Sequence, residues 1–353
     1  MYNKALILSP GKYSITNELI NNFNYIAREV EYLDIRNSIS KNKTFINTQM
    51  FRFPNKIRSK WDSYFLQQIN AFLKKTILET SPDIIAIYNN EYFLPETIRW
   101  VKSKSIKIVF FMGDNPYYTP TNKYYLQLLT YADLILCPDT FWIHQLSVLG
   151  INCAIYFTIG IDSKNYFPLS SRELKDSSGY PETELLYVGM NYVNTWGLKK
   201  AMFMNSFSGF DLKIYGNKHW IKWFELYPDL EPHFVLSGFI PTKTLNIMYN
   251  KTKIVPIDGN PGLLNGFHIR LVEALGAGAF PLSEYRKDIN DRFLKKSKIK
   301  LPQISDYSKA SDLVSYYLKN EKERKEIVEN VRSFVLREYS CEYNAQRIKT
   351  YLQ

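Results

Sequence analysis

Asn260-Pro-Gly-Leu-Leu-Asn-Gly-Phe-His-Ile-Arg-Leu-Val-Glu-Ala-Leu-Gly-Ala-Gly-Ala-Phe-Pro-Leu-Ser-Glu284 joins a glycine-bearing polar loop, an apolar-periodic segment and a second apolar run. The loop passes through Asn265 and Gly266 into a helix predicted over Phe267–Leu275. Gly276 and Gly278 stop that helix before a buried strand at Ala279–Leu282. Asn is a favoured N-cap, so the expectation is that the helix opens its first N–H groups toward the loop. Such an end attracts phosphate. Arg270 and Glu273 are three apart and share a helix face. An Arg can fork onto a diphosphate, and a carboxylate can accept both hydroxyls of a ribose. The same spacing equally describes an exposed ion pair on an ordinary helix, which is worth little.

Working outward, short apolar runs alternate with amphipathic segments along the whole chain, the pattern of a parallel α/β architecture. Strands are predicted at Ala5–Leu8, Val30–Leu33, Ile84–Tyr88, Ile108–Met112, Leu134–Cys137 and Ala154–Phe157, with helices at 16–28, 61–80, 95–103, 124–131 and 139–149 between them. Residues 161–183 lose the apolar period, and the pattern then restarts. Strands follow at Glu184–Val188, Leu212–Tyr215, His233–Leu236, Lys253–Pro256 and Ala279–Leu282, with helices at 198–207, 218–227, 242–249 and 267–275. The division expected is a domain at 1–165, a linker at 166–183, a second domain at 184–338 and a closing helix at 339–353. Two doubly wound halves place a ligand where strand carboxyl ends meet a crevice.

The 353 residues suit two domains, and 45% of them are hydrophobic. No stretch reaches the roughly 20 apolar residues of a membrane span, and the run Ala5–Leu8 is shorter than the apolar region of a signal peptide. Cys137, Cys153 and Cys341 are odd in number and lack metal-ligand spacing, which points to reduced thiols and a cytoplasmic location. The net charge of +11 invites an anionic partner. Arg36, Lys41, Lys43, Arg52, Lys56, Arg58 and Lys60 fall in one stretch without an acid. Lys41, Lys43, Arg52, Lys56, Arg58 and Lys60 are candidates for an anionic acceptor contact, against a solvated loop.

Other residues at strand ends carry candidate chemistry. Asp114 closes the run Ile108–Met112 within Gly113-Asp-Asn-Pro116, where a carboxylate can take a proton from an attacking hydroxyl. Asp before Asn-Pro is also a routine turn residue. Gly189, with Asn191 and Tyr192, follows the first strand of the second half. A residue without a side chain there lets backbone N–H groups approach a diphosphate, or simply turns the chain. His268 stands two positions before Arg270, as a ligand contact or a packed imidazole. No Asp-x-Asp and no His/Cys/Asp spacing suggests a metal cage.

The opening stretch resembles the donor-binding signature of the spore-maturation (CgeB-like) glycosyltransferases and, more distantly, of the wider family-4 transferases. There a polar or acidic residue is followed eight positions later by Glu, the places held here by Asn265 and Glu273. Asn265 departs from the acid of the wider family. Pro82–Tyr88, Ile108–Pro116, Tyr131–Asp139 and Gly160–Asp162 are similar to that family's first domain. Leu186–Asn191, Leu212–Asn217 and Tyr339–Arg347 are similar to parts of its second domain and closing helix. Gly216 lies in one of these segments, and Gly238-Phe239 looks like the family's nucleobase-contacting turn.

The resemblance implies a GT-B fold: two Rossmann-like domains facing across a cleft, with the last helix returning to the first. It implies a metal-independent transferase moving a sugar from a nucleoside diphosphate, UDP above all, to a hydroxyl of a glycan, protein or small molecule, with no further cofactor. Phe267–Glu273 and Ile214–Asn217 also resemble phage DNA glucosyltransferases, which would make a hydroxymethylated base in DNA the acceptor. A third reading is a non-catalytic nucleotide-sugar or polyanion-binding protein on the same scaffold.

Overall fold

The computed structural model describes the chain except residues 10, 12–13, 90–91, 118–122, 178 and 296–297, and the side chains of 14, 15 and 294. It divides into two compact units: residues 1–159 with 341–353, and residues 160–340.

The first unit carries a six-stranded parallel sheet. Its strands are β1 (Tyr2–Ser9), β2 (Ala27–Asp34), β3 (Ile84–Tyr88), β4 (Lys107–Phe111), β5 (Leu134–Cys137) and β6 (Ala154–Tyr156), in the order β2-β1-β3-β4-β5-β6. All four residues of β5 and most of β1, β3 and β4 are buried. Helices therefore cover both faces, and the strands read as continuous apolar runs rather than alternating ones. The helix Cys341–Leu352 belongs to this unit. It is pinned by Asn344 Nδ2 on the Thr158 carbonyl at 2.9 Å and Arg347 on the Tyr156 carbonyl at 2.8 Å.

The second unit holds β7 (Thr183–Val188), β8 (Leu212–Gly216), β9 (Phe234–Leu236), β10 (Thr252–Ile257), β11 (Phe280–Glu284) and β12 (Gln303–Ile304), ordered β12-β11-β10-β7-β8-β9 and again all parallel. On one face Leu185, Tyr187, Ile214 and Leu282 pack with Phe203, Phe207, Trp220 and Trp223. On the other, Leu186, Val255 and Ile257 pack with Tyr166, Tyr249, Ala274 and Ala277. Residues 166–169 lie against this second face: Asn246 Oδ1 accepts from the Phe167 N–H at 3.1 Å, and Asn250 Oδ1 from the Leu169 N–H at 2.7 Å.

Strand order reverses between β1 and β3 in the first unit and between β7 and β10 in the second. Neighbouring connections leave in opposite directions at such a point and open a crevice at the strand carboxyl ends. The expected strands are all present, with β12 in addition. The helix predicted to reach Arg28 ends at Asn24, because β2 begins at Ala27, which already pairs with Tyr2 of β1. Residues 36–60 are not a plain loop: they form helix Lys41–Gln49 and the start of helix Asn55–Thr80. Helices Ala310–Lys319 and Glu321–Glu338 also went without a prediction.

Candidate active site

The helix after β10 starts at Arg270, three residues later than predicted, and runs to Ala277. Phe267 is drawn out of it. The ring is buried and packs edge-on against Phe293 and Tyr339, with centroids 5.3 and 6.3 Å away. Asn265 is consequently not the N-cap; the cap position is Ile269, without a side-chain bond, while the Asn265 carbonyl accepts from the Asp288 N–H at 3.0 Å. The first N–H groups of the helix are engaged locally. His268 Nδ1 accepts from Arg270 N–H at 3.2 Å, the His268 carbonyl from Leu271 and the Ile269 carbonyl from Val272 and Glu273. Charge for an anion therefore has to come from side chains here rather than from open helix N–H groups. Gly278 ends the helix at φ +86°, a conformation that suits glycine.

Those side chains assemble at the β7/β10 reversal. Asp258 follows β10 and is 3% exposed. The Tyr187 hydroxyl, from β7, donates to its Oδ1 at 2.7 Å, and Lys200 Nζ lies 3.5 Å from its Oδ2. Lys200, from helix Thr195–Asn205, also donates to the Met190 carbonyl at 3.0 Å. The Arg270 guanidinium stands over the Tyr187 ring, 5.8 Å from its centroid. Burial pushes the Asp258 carboxyl up, but Lys200, His268, the Tyr187 hydroxyl and Arg270 together hold it well below the usual carboxylate range. Burial lowers Lys200, with Asp258 opposing. Lys200 and Arg270 thus converge on the Asp258 carboxylate, and Arg270 also interacts with the Glu273 carboxyl one turn along its helix.

Gly189 lies beside this group for a reason other than the one expected. Its N–H is taken by the Tyr215 carbonyl at 2.9 Å, and its carbonyl accepts from Trp220 Nε1 at 2.8 Å. What needs glycine is Arg270: a Cβ at position 189 would lie 2.7 Å from the guanidinium and 2.8 Å from the Tyr187 ring. Gly216 is similarly closed, by Trp220 and the Gly189 carbonyl. Asn191 is fully buried, its Oδ1 accepting from Tyr192 N–H at 2.8 Å, while Tyr192 remains 38% exposed with Lys200 Nζ 5.3 Å from its ring centroid. Gly238 and Phe239 follow β9 in the open. Glu273 is 4% exposed and bonded to Tyr166; burial raises its carboxyl while Arg270 opposes. Gly266 is buried in the loop ahead of Phe267.

Sequence reading did not single out Lys200, Asp258 or Tyr187. Asp258 carried the signal that marked Asp114, an apolar strand ending in Asp beside Gly. Glu284 stands at the end of β11. It accepts from Lys199 Nζ at 2.7 and 2.5 Å, from the Gly259 N–H and from the Tyr307 hydroxyl. It thereby ties the loop after Asp258 to β11.

His268 is held down at about 3, mainly by burial and then by Arg270. An imidazole depressed in this way is neutral when folded but takes a proton when unfolded below about pH 6.5. The unfolded state then binds more protons, so stability falls as pH drops from 6.5 toward 3, by up to about 1.4 kcal/mol per pH unit for one group. His268→Gln, which offers an amide oxygen to Arg270 N–H, is expected to flatten that slope in urea titrations from pH 7 to 4. An unchanged slope would remove His268 as its source.

In the first unit, Asp114 follows β4. Its Oδ2 accepts from Asn89 Nδ2 at 2.6 Å, and Asn89 Oδ1 accepts from Gly113 N–H at 2.8 Å. Burial raises the Asp114 carboxyl, with the Asn89 bond opposing, the direction that makes a carboxylate a better base. The basic residues Lys41, Lys43, Arg52, Lys56, Arg58 and Lys60 lie after β2, apart from this carboxylate in sequence.

The comparisons with known proteins bear on this arrangement. Residues 198–350 match the model of a family described as glycosyl transferase-like. Sucrose-phosphate synthase from Thermosynechococcus elongatus superposes with a TM-score of 0.69 at 9% identity, over 99% of this chain and 98% of that one. HepE of Anabaena in complex with UDP-glucose does so with 0.65 at 13%, over 100% and 99%. The fold is GT-B. A glycosyltransferase from Rickettsia africae shows the same GT-B likeness, with a TM-score of 0.64 at 12% identity, over 99% and 97%. No curated protein sequence matches the chain. The family match includes Lys199, Lys200, Asp258, His268, Arg270 and Glu273, so most of the charged side chains at the β7/β10 reversal of this GT-B chain lie within it.

Proposed function

We propose that the protein is a glycosyltransferase that moves a sugar from UDP to a hydroxyl of a glycan, protein or small molecule. The observation that carries this is the convergence of two cationic side chains, Lys200 and Arg270, beside Asp258 at the β7/β10 reversal, where they can meet a diphosphate. The similar HepE structures hold UDP or UDP-glucose, which supports UDP as the carrier. Arg270 is assigned to the diphosphate, Glu273 to the ribose hydroxyls in exchange for its Tyr166 bond, and Phe239 to the base. Asn191, Tyr192, Gly266 and His268 shape the surrounding wall.

The acceptor oxygen bonds to the anomeric carbon while the bond from that carbon to the diphosphate oxygen breaks. The acceptor proton passes to Asp114, and UDP leaves with the bonding pair. Charge building on the diphosphate is met by Arg270 and Lys200, fixed in place before the reaction, so in this reading no metal ion is called on. The spore-maturation-like subfamily fits the Asn265–Glu273 spacing.

A ligand at about 100 times its Kd stabilises by about 2.7 kcal/mol. UDP or UDP-glucose is thus expected to raise the melting temperature by about 5 °C. Asp114→Asn should keep that shift and lower turnover by about 100- to 10,000-fold. If no nucleoside diphosphate or its sugar shifts the melting curve, the proposal is wrong. If Asp114→Asn turns over normally, only the base assignment is.

A further inference from the structure

Helix Lys41–Gln49, which follows β2, buries none of its residues. Residues 51–60, the next turn and the start of helix Asn55–Thr80, are exposed one after another. This surface is not polar. Phe45 is 66% exposed, Phe51 63%, Ile57 51% and Phe53 48%, with Ile46 and Tyr64 beside them in sequence. Large apolar side chains gathered in one open segment mark a site of interaction rather than ordinary surface.

The charge on the segment is of one sign. Arg36 is paired with Asp34 and Arg58 with Asp62. Among the described residues, Lys41, Lys43, Arg52, Lys56 and Lys60 have no carboxylate within ion-pair distance. Lys43 and Arg52 instead lie 5.4 Å from the ring centroids of Tyr64 and Phe51, so cation and aromatic ring are interleaved. An occupant must therefore offer negative charge and, within a side chain's reach, hydrocarbon.

We propose that residues 41–60 dock the protein on the surface of an anionic lipid bilayer. Lys41, Lys43, Arg52, Lys56 and Lys60 would meet the headgroups, while Phe45, Phe51, Phe53 and Ile57 enter the acyl boundary. The branched aliphatic chains favour lipid over nucleic acid, because Ile46 and Ile57 have no ring face on which a base can stack. Basic residues with Phe and Ile on short helices are the composition that lies in a membrane interface. No helix among the described residues is long and apolar enough to cross a membrane, so the contact is with the surface. This inference concerns residues other than the nucleotide-binding ones and stands without the transfer chemistry.

Sedimentation of the full chain with vesicles tests it, using phosphatidylcholine alone and with about one-third phosphatidylglycerol. Each basic residue near an anionic surface raises partition by about fivefold. The chain is expected to sediment with the anionic vesicles only, and to be released by added salt. Lys56→Glu with Lys60→Glu should lower binding by about 25-fold or more. Phe51→Ser with Phe53→Ser should lower it by roughly tenfold. All four positions are exposed, so the melting temperatures should match the parent and show that both variants fold. Equal binding to neutral and anionic vesicles, no binding to either, or binding that neither pair of substitutions reduces would overturn the proposal. Retention of a DNA oligonucleotide, with vesicles ignored and the same lysine dependence, would overturn it in favour of nucleic acid.

Discussion

Arg270→Ala is expected to weaken UDP binding by about 10- to 150-fold, the range for losing one charged, forked hydrogen-bond contact of about 1.5–3 kcal/mol. The guanidinium is set by its surroundings rather than by a flexible tether. The Tyr187 ring lies beneath it, and the bare Cα of Gly189 leaves it room. Turnover should fall further, by about 100- to 1,000-fold, because negative charge on the diphosphate grows as the sugar bond breaks. Arg270→Lys should recover little of either, since a point charge does not reproduce the planar fork. The fold should tolerate both changes: Asp258 keeps Lys200 and the Tyr187 hydroxyl. Calorimetric titration with UDP, beside initial rates with a UDP-sugar, separates the two effects. Binding that is unchanged in Arg270→Ala would refute the assignment of Arg270 to the diphosphate.

The architecture was legible because buried parallel strands announce themselves. Ile84–Tyr88 and Leu134–Cys137 were placed to the residue, since an apolar run bounded by turns has few other readings in a βα repeat. The helix before β2 was overextended for a related reason. Ala27 and Arg28 suit a helix locally, and only the pairing of β2 with β1 makes them strand. The start of the helix at Arg270 was misread because Phe267 fits the helical period but packs against Phe293 and Tyr339, both distant in sequence.

The candidate site divides along the same line. Arg270, His268 and Gly189 stood out from local pattern, and the structure brings them together. Lys200 and Tyr187 did not, because a lysine in a helix and a tyrosine in a strand have no local mark. Their roles come from Asp258, which is 58 residues beyond Lys200 in the chain. Even where the residue was right, the cause was not always readable. Gly189 is explained by the room Arg270 needs, a contact between residues far apart in sequence.

Asp258→Ala should carry a large stability effect in the second unit. The carboxylate is buried at 3% exposure, with the Tyr187 hydroxyl on one oxygen and Lys200 by the other. Its removal leaves the Lys200 ammonium, itself little exposed, and the buried Tyr187 hydroxyl without their shared acceptor. Breaking a buried ion pair from one side costs about 3–5 kcal/mol, whereas replacing the whole pair with apolar residues can cost far less. The sign with pH follows from the direction of the shift. A carboxyl held below its unfolded value stabilises above that value, and the contribution disappears only as pH falls through the lower, folded one. The stability gap between parent and Asp258→Ala should therefore stay constant in urea titrations from pH 7 to about 4.5, above the unfolded carboxylate range. Asp258→Asn, which keeps an oxygen for Tyr187 but turns neutral toward Lys200, should fall between the two. A gap below about 1 kcal/mol, in the range of exposed pairs, would mean that Lys200 and Tyr187 find other partners and that Asp258 does not organise the β7/β10 reversal.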